Sequence, residues 1–184
     1  MLRIDIGWQF CLAALSVTTL LLIVSQLAKK HEKKILAFVL AGYILVILAM
    51  TLLPVYVTTK KLSFAEMMRF MPPFNLKPFS LIVPQFKNMM GGNMASARQF
   101  LGNIVLFIPA GFLPPLVFPA LKKWYFALMA GFAFTLFIEV TQMTLHLLNM
   151  STRTLDIDDL ILNTFGAALG YVLYRLIFRA KHRT

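Results

Sequence analysis

Five apolar runs, each about as long as a bilayer is thick, constrain this chain more than any other feature. They are Trp8–Ala28, Ile35–Val57, Phe100–Leu121, Trp124–Leu148 and Ile157–Phe178. A hydrocarbon core takes roughly 20 apolar residues per crossing helix, and it excludes backbone that cannot satisfy its own hydrogen bonds. The expected fold is therefore all-α, a polytopic transmembrane helix bundle of about five spans. Charged residues make up 14% of the chain, well below the roughly 25% of soluble domains. The 184 residues leave room for one bundle and no separate soluble domain. The single cysteine, Cys11, excludes an intrachain disulfide.

The charges give an orientation. Lys29, Lys30, Lys33 and Lys34 follow the first run, whereas only Arg3 precedes it among the basic residues. A signal peptide carries its positive charge in front of the apolar stretch, so this run reads as a retained helix. Lys122 and Lys123 separate the third and fourth runs, and Arg175, Arg179, Lys181 and Arg183 close the chain. Placing these three clusters in the cytoplasm puts the N-terminus outside and the C-terminus inside. The formal charge of +11 belongs to these flanks. Because basic residues border apolar segments and do not interleave with exposed aromatics, they suit anionic lipid and exclude a nucleic-acid partner.

The connection between the second and third runs, residues 58–99, is read as external. "LSFAEMMRFM" (Leu62–Met71) is mostly apolar and spaces Glu66 and Arg69 three apart, as in a helix lying in the interface. "PPFNLKPFSLIVPQF" (Pro72–Phe86) carries too many prolines to cross as a helix, and "MMGGNMASA" (Met89–Ala97) reads as a flexible hinge. Pro109, Pro114, Pro115 and Pro119 predict that the third span is kinked or partly unwound.

Polar residues within the spans converge on one side. Three of the seven acidic residues, Asp156, Asp158 and Asp159, fall in four consecutive positions at the start of the fifth span. In the expected orientation Asn103 and Asn163 lie roughly 5–10 Å, and Glu139 roughly 12–15 Å, below the outer boundary. Glu139, Gln142 and His146 share one helical face, as do Asp156, Asp159 and Asn163. Gly166 and Gly170 form a GxxxG pattern that permits close helix approach. For the aspartates taken alone, N-terminal capping and a functional role fit equally, and Asp156 with Asp159 resembles a capping box. Glu139 within a span is a functional candidate by default, with Lys77, Arg98 and Arg153 as external partners.

These segments also carry a resemblance. "FNLKPFSLI" (74–82), "GNIVLFIPAGFLPPL" (102–116), "GFAFTLFIEVTQ" (131–142) and "RTLDIDDLILNTFGAALGY" (153–171) resemble, in order, the VanZ-like family of bacterial membrane proteins. The likeness covers roughly the last 110 residues, and the first two spans match in character alone. It divides the chain into two N-terminal helices (1–57) and a VanZ-like region (58–184) of external loop plus three spans. Carried over by position, the family's polar residues fall on Asn75, Asn103, Glu139, Gln142, Arg153, Asp156, Asp158, Asp159 and Asn163. Together with Lys77 they form the candidate ligand-binding set.

The family's founding context is teicoplanin resistance, so the resemblance implies lowered susceptibility to lipoglycopeptides or another envelope role. It names no cofactor and supplies no mechanism. The expected partners are membrane lipids and either a cell-wall precursor or the lipoglycopeptide itself, bound in an outward-facing polar pocket. A second class is an intramembrane enzyme acting on an envelope lipid, with Glu139 and the three aspartates as acid–base groups or as hard oxygen ligands for a divalent cation. No H-E-x-x-H, G-x-S-x-G or cysteine nucleophile motif supports it. Transport is the third class, and it lacks an inverted repeat.

Overall fold

Glycine sets the closest helix contact in the bundle. In this computed structural model, which describes residues 33–53, 55, 63–70, 72 and 74–179, helix α4 (Met94–Phe112) runs parallel to helix α7 (Ile157–Arg179). A Cβ added at Gly166 would collide with the Ile104 carbonyl, one at Gly170 with the Ile108 carbonyl, and one at Gly111 with the Ala167 carbonyl. Apolar burial drives little association in lipid. Close backbone approach and van der Waals contact along a small-residue stripe replace it.

Around this pair stand helix α1 (Lys33–Leu52) and helix α6 (Trp124–Leu147), both antiparallel to it. Leu36, Leu40, Tyr43 and Ile47 recur at helical spacing and make the buried face of α1. Its other faces expose Phe38, Leu45, Val46 and Met50, as a lipid-facing surface does. The core joins these residues to Phe107, Phe112, Leu113, Ile138, Ala167 and Tyr171. The Tyr43 hydroxyl donates to the Leu106 carbonyl (3.0 Å) and ties α1 to α4.

Four described helices are long and apolar enough to cross a membrane: Lys33–Leu52, the Met94–Val117 segment, Trp124–Leu147 and Ile157–Phe178. The chain is an all-α, multi-pass membrane protein. The expected first span, Trp8–Ala28, lies outside the described residues, as does the side chain of Arg69.

The third span differs from expectation at both ends. It begins at Met94, not Phe100, because the Asn93 side chain accepts from the amides of Ala95 (3.0 Å) and Ser96 (3.1 Å) and caps the helix early. Pro109 is accommodated inside α4, and the helix ends at Phe112. Pro114 and Pro115 open a separate turn, α5 (Pro114–Val117), and Pro119 opens a 3-10 turn (Pro119–Lys122). Proline is harmless at such first positions, where no backbone donor is required.

The connection between the second and third spans is more structured than its prolines suggest. Helix α2 (Phe64–Phe70) comes first, then strand β1 (Phe74–Asn75), then helix α3 (Ile82–Met90). Pro84 falls in the first turn of α3, so its missing N–H costs no intrahelical bond. Gly91 and Gly92 close that helix in a tight turn, with Gly92 at φ 86°, where the sequence reads as a hinge. Strand β1 pairs in parallel with strand β2 (Leu155–Asp156), Phe74 opposite Leu155 and Asn75 opposite Asp156. This two-residue ladder lies directly before α7.

Candidate functional site

The three aspartates at the head of α7 each hold a different part of the chain. Asp156 caps the helix they open: its Oδ1 accepts from the Asp158 amide at 2.8 Å. Its Oδ2 accepts from Asn75 Nδ2 at 3.2 Å, and Asn75 Nδ2 also reaches Ser80 Oγ at 3.0 Å. Asp156 thereby fixes the β1 loop. The capping box that pairs Asp156 with Asp159 in the sequence does not form, because Asp159 turns the other way and accepts from Asn103 Nδ2 on α4.

Asp158 acts at longer range. Its carboxylate is 1% exposed and accepts from the amides of Phe79 (2.6 Å), Leu81 (2.6 Å) and Ile82 (3.1 Å). The Leu81 and Ile82 amides are donors at the N-terminus of α3, where a carboxylate also meets the positive end of the helix dipole, and the Phe79 amide belongs to the turn before it. Leu81 has no side-chain cap of its own. Collecting these amides places Phe79 at φ 62°, the left-handed region that costs a non-glycine residue roughly 1–2 kcal/mol. Charged hydrogen bonds of about 1.5–3 kcal/mol each offset that cost.

Glu139 enters from α6, also 1% exposed, and its Oε2 accepts from the Asp156 amide at 2.8 Å. The hydrogen bond thus comes from the backbone, while the Arg153 charge acts on Glu139 without one. Arg153 is exposed and its guanidinium donates to the Met50 carbonyl (3.5 Å) at the end of α1. Lys77 is exposed, and its backbone N–H donates to Asn75 Oδ1 (3.4 Å). Gln142 is buried and donates to the Thr51 carbonyl (2.9 Å), satisfying one of the carbonyls left free where α1 ends. His146 and Asn163 are buried on the same faces of α6 and α7.

The candidate residues thus gather where α1 and α6 end and α4 and α7 begin to pack. Glu139, Asp156 and Asp159 lie close enough to act on one another electrostatically. Each faces amide hydrogens from another element, and among the described residues no three His, Cys, Asp or Glu side chains form a group able to hold a metal ion. Ser80 and Thr51, absent from the candidate set, are partners of Asn75 and Gln142. Neither carries a sequence signal that distinguishes it. Thr135 is also buried and does carry one, since it extends the Glu139 and Gln142 stripe by one helical turn.

The opposite end of the bundle is basic. The Tyr171 hydroxyl donates to the Lys122 carbonyl (2.7 Å) and accepts from Arg175 (3.0 Å), and Lys33 and Lys34 begin α1 at this end. The two ends therefore differ in chemistry: carboxylates and amides at one, cations at the other.

Compared with known proteins, residues 40–179 match the family model described as VanZ/LLP1. No curated protein and no solved structure matches the chain. The match runs from within α1 to the last residue of α7 and contains every candidate residue above.

Proposed function

The chain belongs to the VanZ/LLP1 family, and from that premise we propose that it lowers bacterial susceptibility to lipid-tailed glycopeptides of the teicoplanin type. In this reading the carboxylate-rich end of the bundle faces outward and engages a cell-envelope lipid or lipid-linked precursor. The observation that carries it is the convergence of Glu139, Asp156, Asp158 and Asp159, from two spans, at the head of α7, where Asp156 and Asp158 hold the β1 loop and α3. Two of these carboxylates, Asp156 and Asp158, hold that loop as a defined surface at the membrane boundary. Exposed Lys77 and Arg153 on that surface supply the positive charge that an anionic head group needs.

The orientation rests on the other end. Lys33, Lys34, Lys122, Lys123 and Arg175 gather there, and a surplus of basic residues in short loops marks the cytoplasmic side. The C-terminus is then cytoplasmic and, with the first span, the N-terminus external. A reporter joined after Thr184 should behave as cytoplasmic and one inserted at Gly91 as external. The intramembrane enzyme has less support, because its carboxylates are occupied by amide donors.

The deciding experiment is expression in a susceptible Gram-positive host. Tolerance to teicoplanin should rise more than tolerance to vancomycin, since only the former carries a tail that reaches the membrane. Equal changes, or none, overturn the proposal.

A further inference from the structure

Helices α6 and α7 cross with their small residues in contact: a Cβ at Gly131 would lie 2.9 Å from the Ala167 Cβ. The pair is antiparallel, so stepping four residues up α6 and four down α7 brings Thr135 opposite Asn163. One further turn brings Glu139 to the head of α7, as its bond to the Asp156 amide requires. Thr135 and Asn163 are therefore bracketed by contacts above and below. Thr135 is 0% and Asn163 4% exposed.

Yet the Thr135 Oγ1 and the Asn163 Oδ1 lack a hydrogen-bond partner among the described residues. Leaving a polar group unpaired in an apolar interior costs about 1–3 kcal/mol by mutational measures. The two side chains belong to one seam, and no hydrogen bond joins their oxygens. A polar pair left unjoined in this way is bridged by solvent where the site is polar. A water molecule is the ligand that fits, because it donates to the amide oxygen and either donates to or accepts from the hydroxyl.

We propose that Thr135 and Asn163 form an internal water site that bridges α6 and α7 within the membrane, one turn below Glu139. Two protein hydrogen bonds fall within the range that buried waters make. The water continues the polar face of Glu139 and Gln142 into the bundle and locks the α6–α7 seam one turn from the Gly131–Ala167 contact.

The test uses the full-length protein in detergent. Thr135→Val and Asn163→Leu should each lower the thermal midpoint by several degrees, and the double variant should fall no further than the worse single, since both lose the same bridge. Thr135→Ser keeps the hydroxyl and should remain near wild type, which separates the water from simple packing. A structure at high resolution should show a solvent peak between the two oxygens. An unchanged or raised midpoint in Thr135→Val, or a direct Thr135–Asn163 bond with no solvent peak, overturns the proposal. None of these readouts depends on glycopeptide tolerance.

Discussion

The Asp158 carboxylate caps Leu81, 77 positions earlier in the chain, through a 2.6 Å bond to its backbone amide. A helix that lacks a local cap takes one from the head of a transmembrane helix instead. The segment from Phe74 to Met90 is thereby anchored to the bundle core, and the aspartate cluster has a mechanical meaning before it has a chemical one.

This arrangement makes Asp158→Asn a severe change. An asparagine presents one oxygen and one NH2 group to three amide donors, so a donor must face a donor. A loss of about 2–4 kcal/mol is expected from the broken charged bonds. Thermal unfolding in detergent measures it, and protease cleavage between Ile82 and Met90 should accelerate in parallel.

Asp159→Asn should behave differently. The amide oxygen still accepts from Asn103 Nδ2, so folding should be retained within about 1 kcal/mol. If the charge of this surface acts on the envelope ligand, teicoplanin tolerance should fall all the same. Measuring the thermal midpoint beside the inhibitory concentration separates the two effects, and unchanged tolerance would return Asp159 to a packing role.

The glycine seam gives a contrast inside one residue type. Gly170→Ala and Gly166→Ala drive a methyl into the Ile108 and Ile104 carbonyls and should separate α4 from α7, at the upper end of the roughly 1–3 kcal/mol typical of overpacking. Gly42→Ala and Gly102→Ala meet nothing within 4 Å and should be tolerated. Yield of monodisperse protein in detergent, compared across the four variants, reads this directly.

Glu66 offers a pH test outside the spans. The Ser63 amide (2.9 Å) and hydroxyl (2.8 Å) both donate to its carboxylate, which holds it below the ordinary glutamate range. A depressed folded pKa stabilises the structure above the ordinary range, and that contribution is lost as pH falls through the depressed value. Ser63→Ala should shift the Glu66 titration upward, as carbon NMR of a labelled side chain would show.

Several elements were legible and several were not, for physical reasons. Membrane spans are visible because each needs a long apolar run, and the second to fifth appear near their observed positions. The start of α4 is displaced because Met94–Gln99 is helical without being apolar, and Asn93 marks it only as a cap. Helix α3 is masked by Pro84, whose position in the first turn makes it harmless. The Ser63-x-x-Glu66 box was readable in principle, as a hydroxyl and a carboxylate three residues apart.

The polar residues divide along the same line. That Glu139, Gln142, Asp156, Asp159 and Asn163 occupy buried faces follows from helical periodicity and the cost of exposing them to lipid, both local properties of sequence. Which group each one meets does not follow. Glu139 takes its hydrogen bond from the Asp156 amide and not from Arg153, and Asp158 meets α3 and not its own helix, because α3 arrives through parallel pairing of Phe74–Asn75 with Leu155–Asp156. Apolar length and charge asymmetry thus determine that this chain is a multi-pass bundle, since those quantities sum along the chain. Hydrogen-bond partners are decided by geometry between segments some 80 residues apart, and only the folded packing of α4 against α7 brings those segments together.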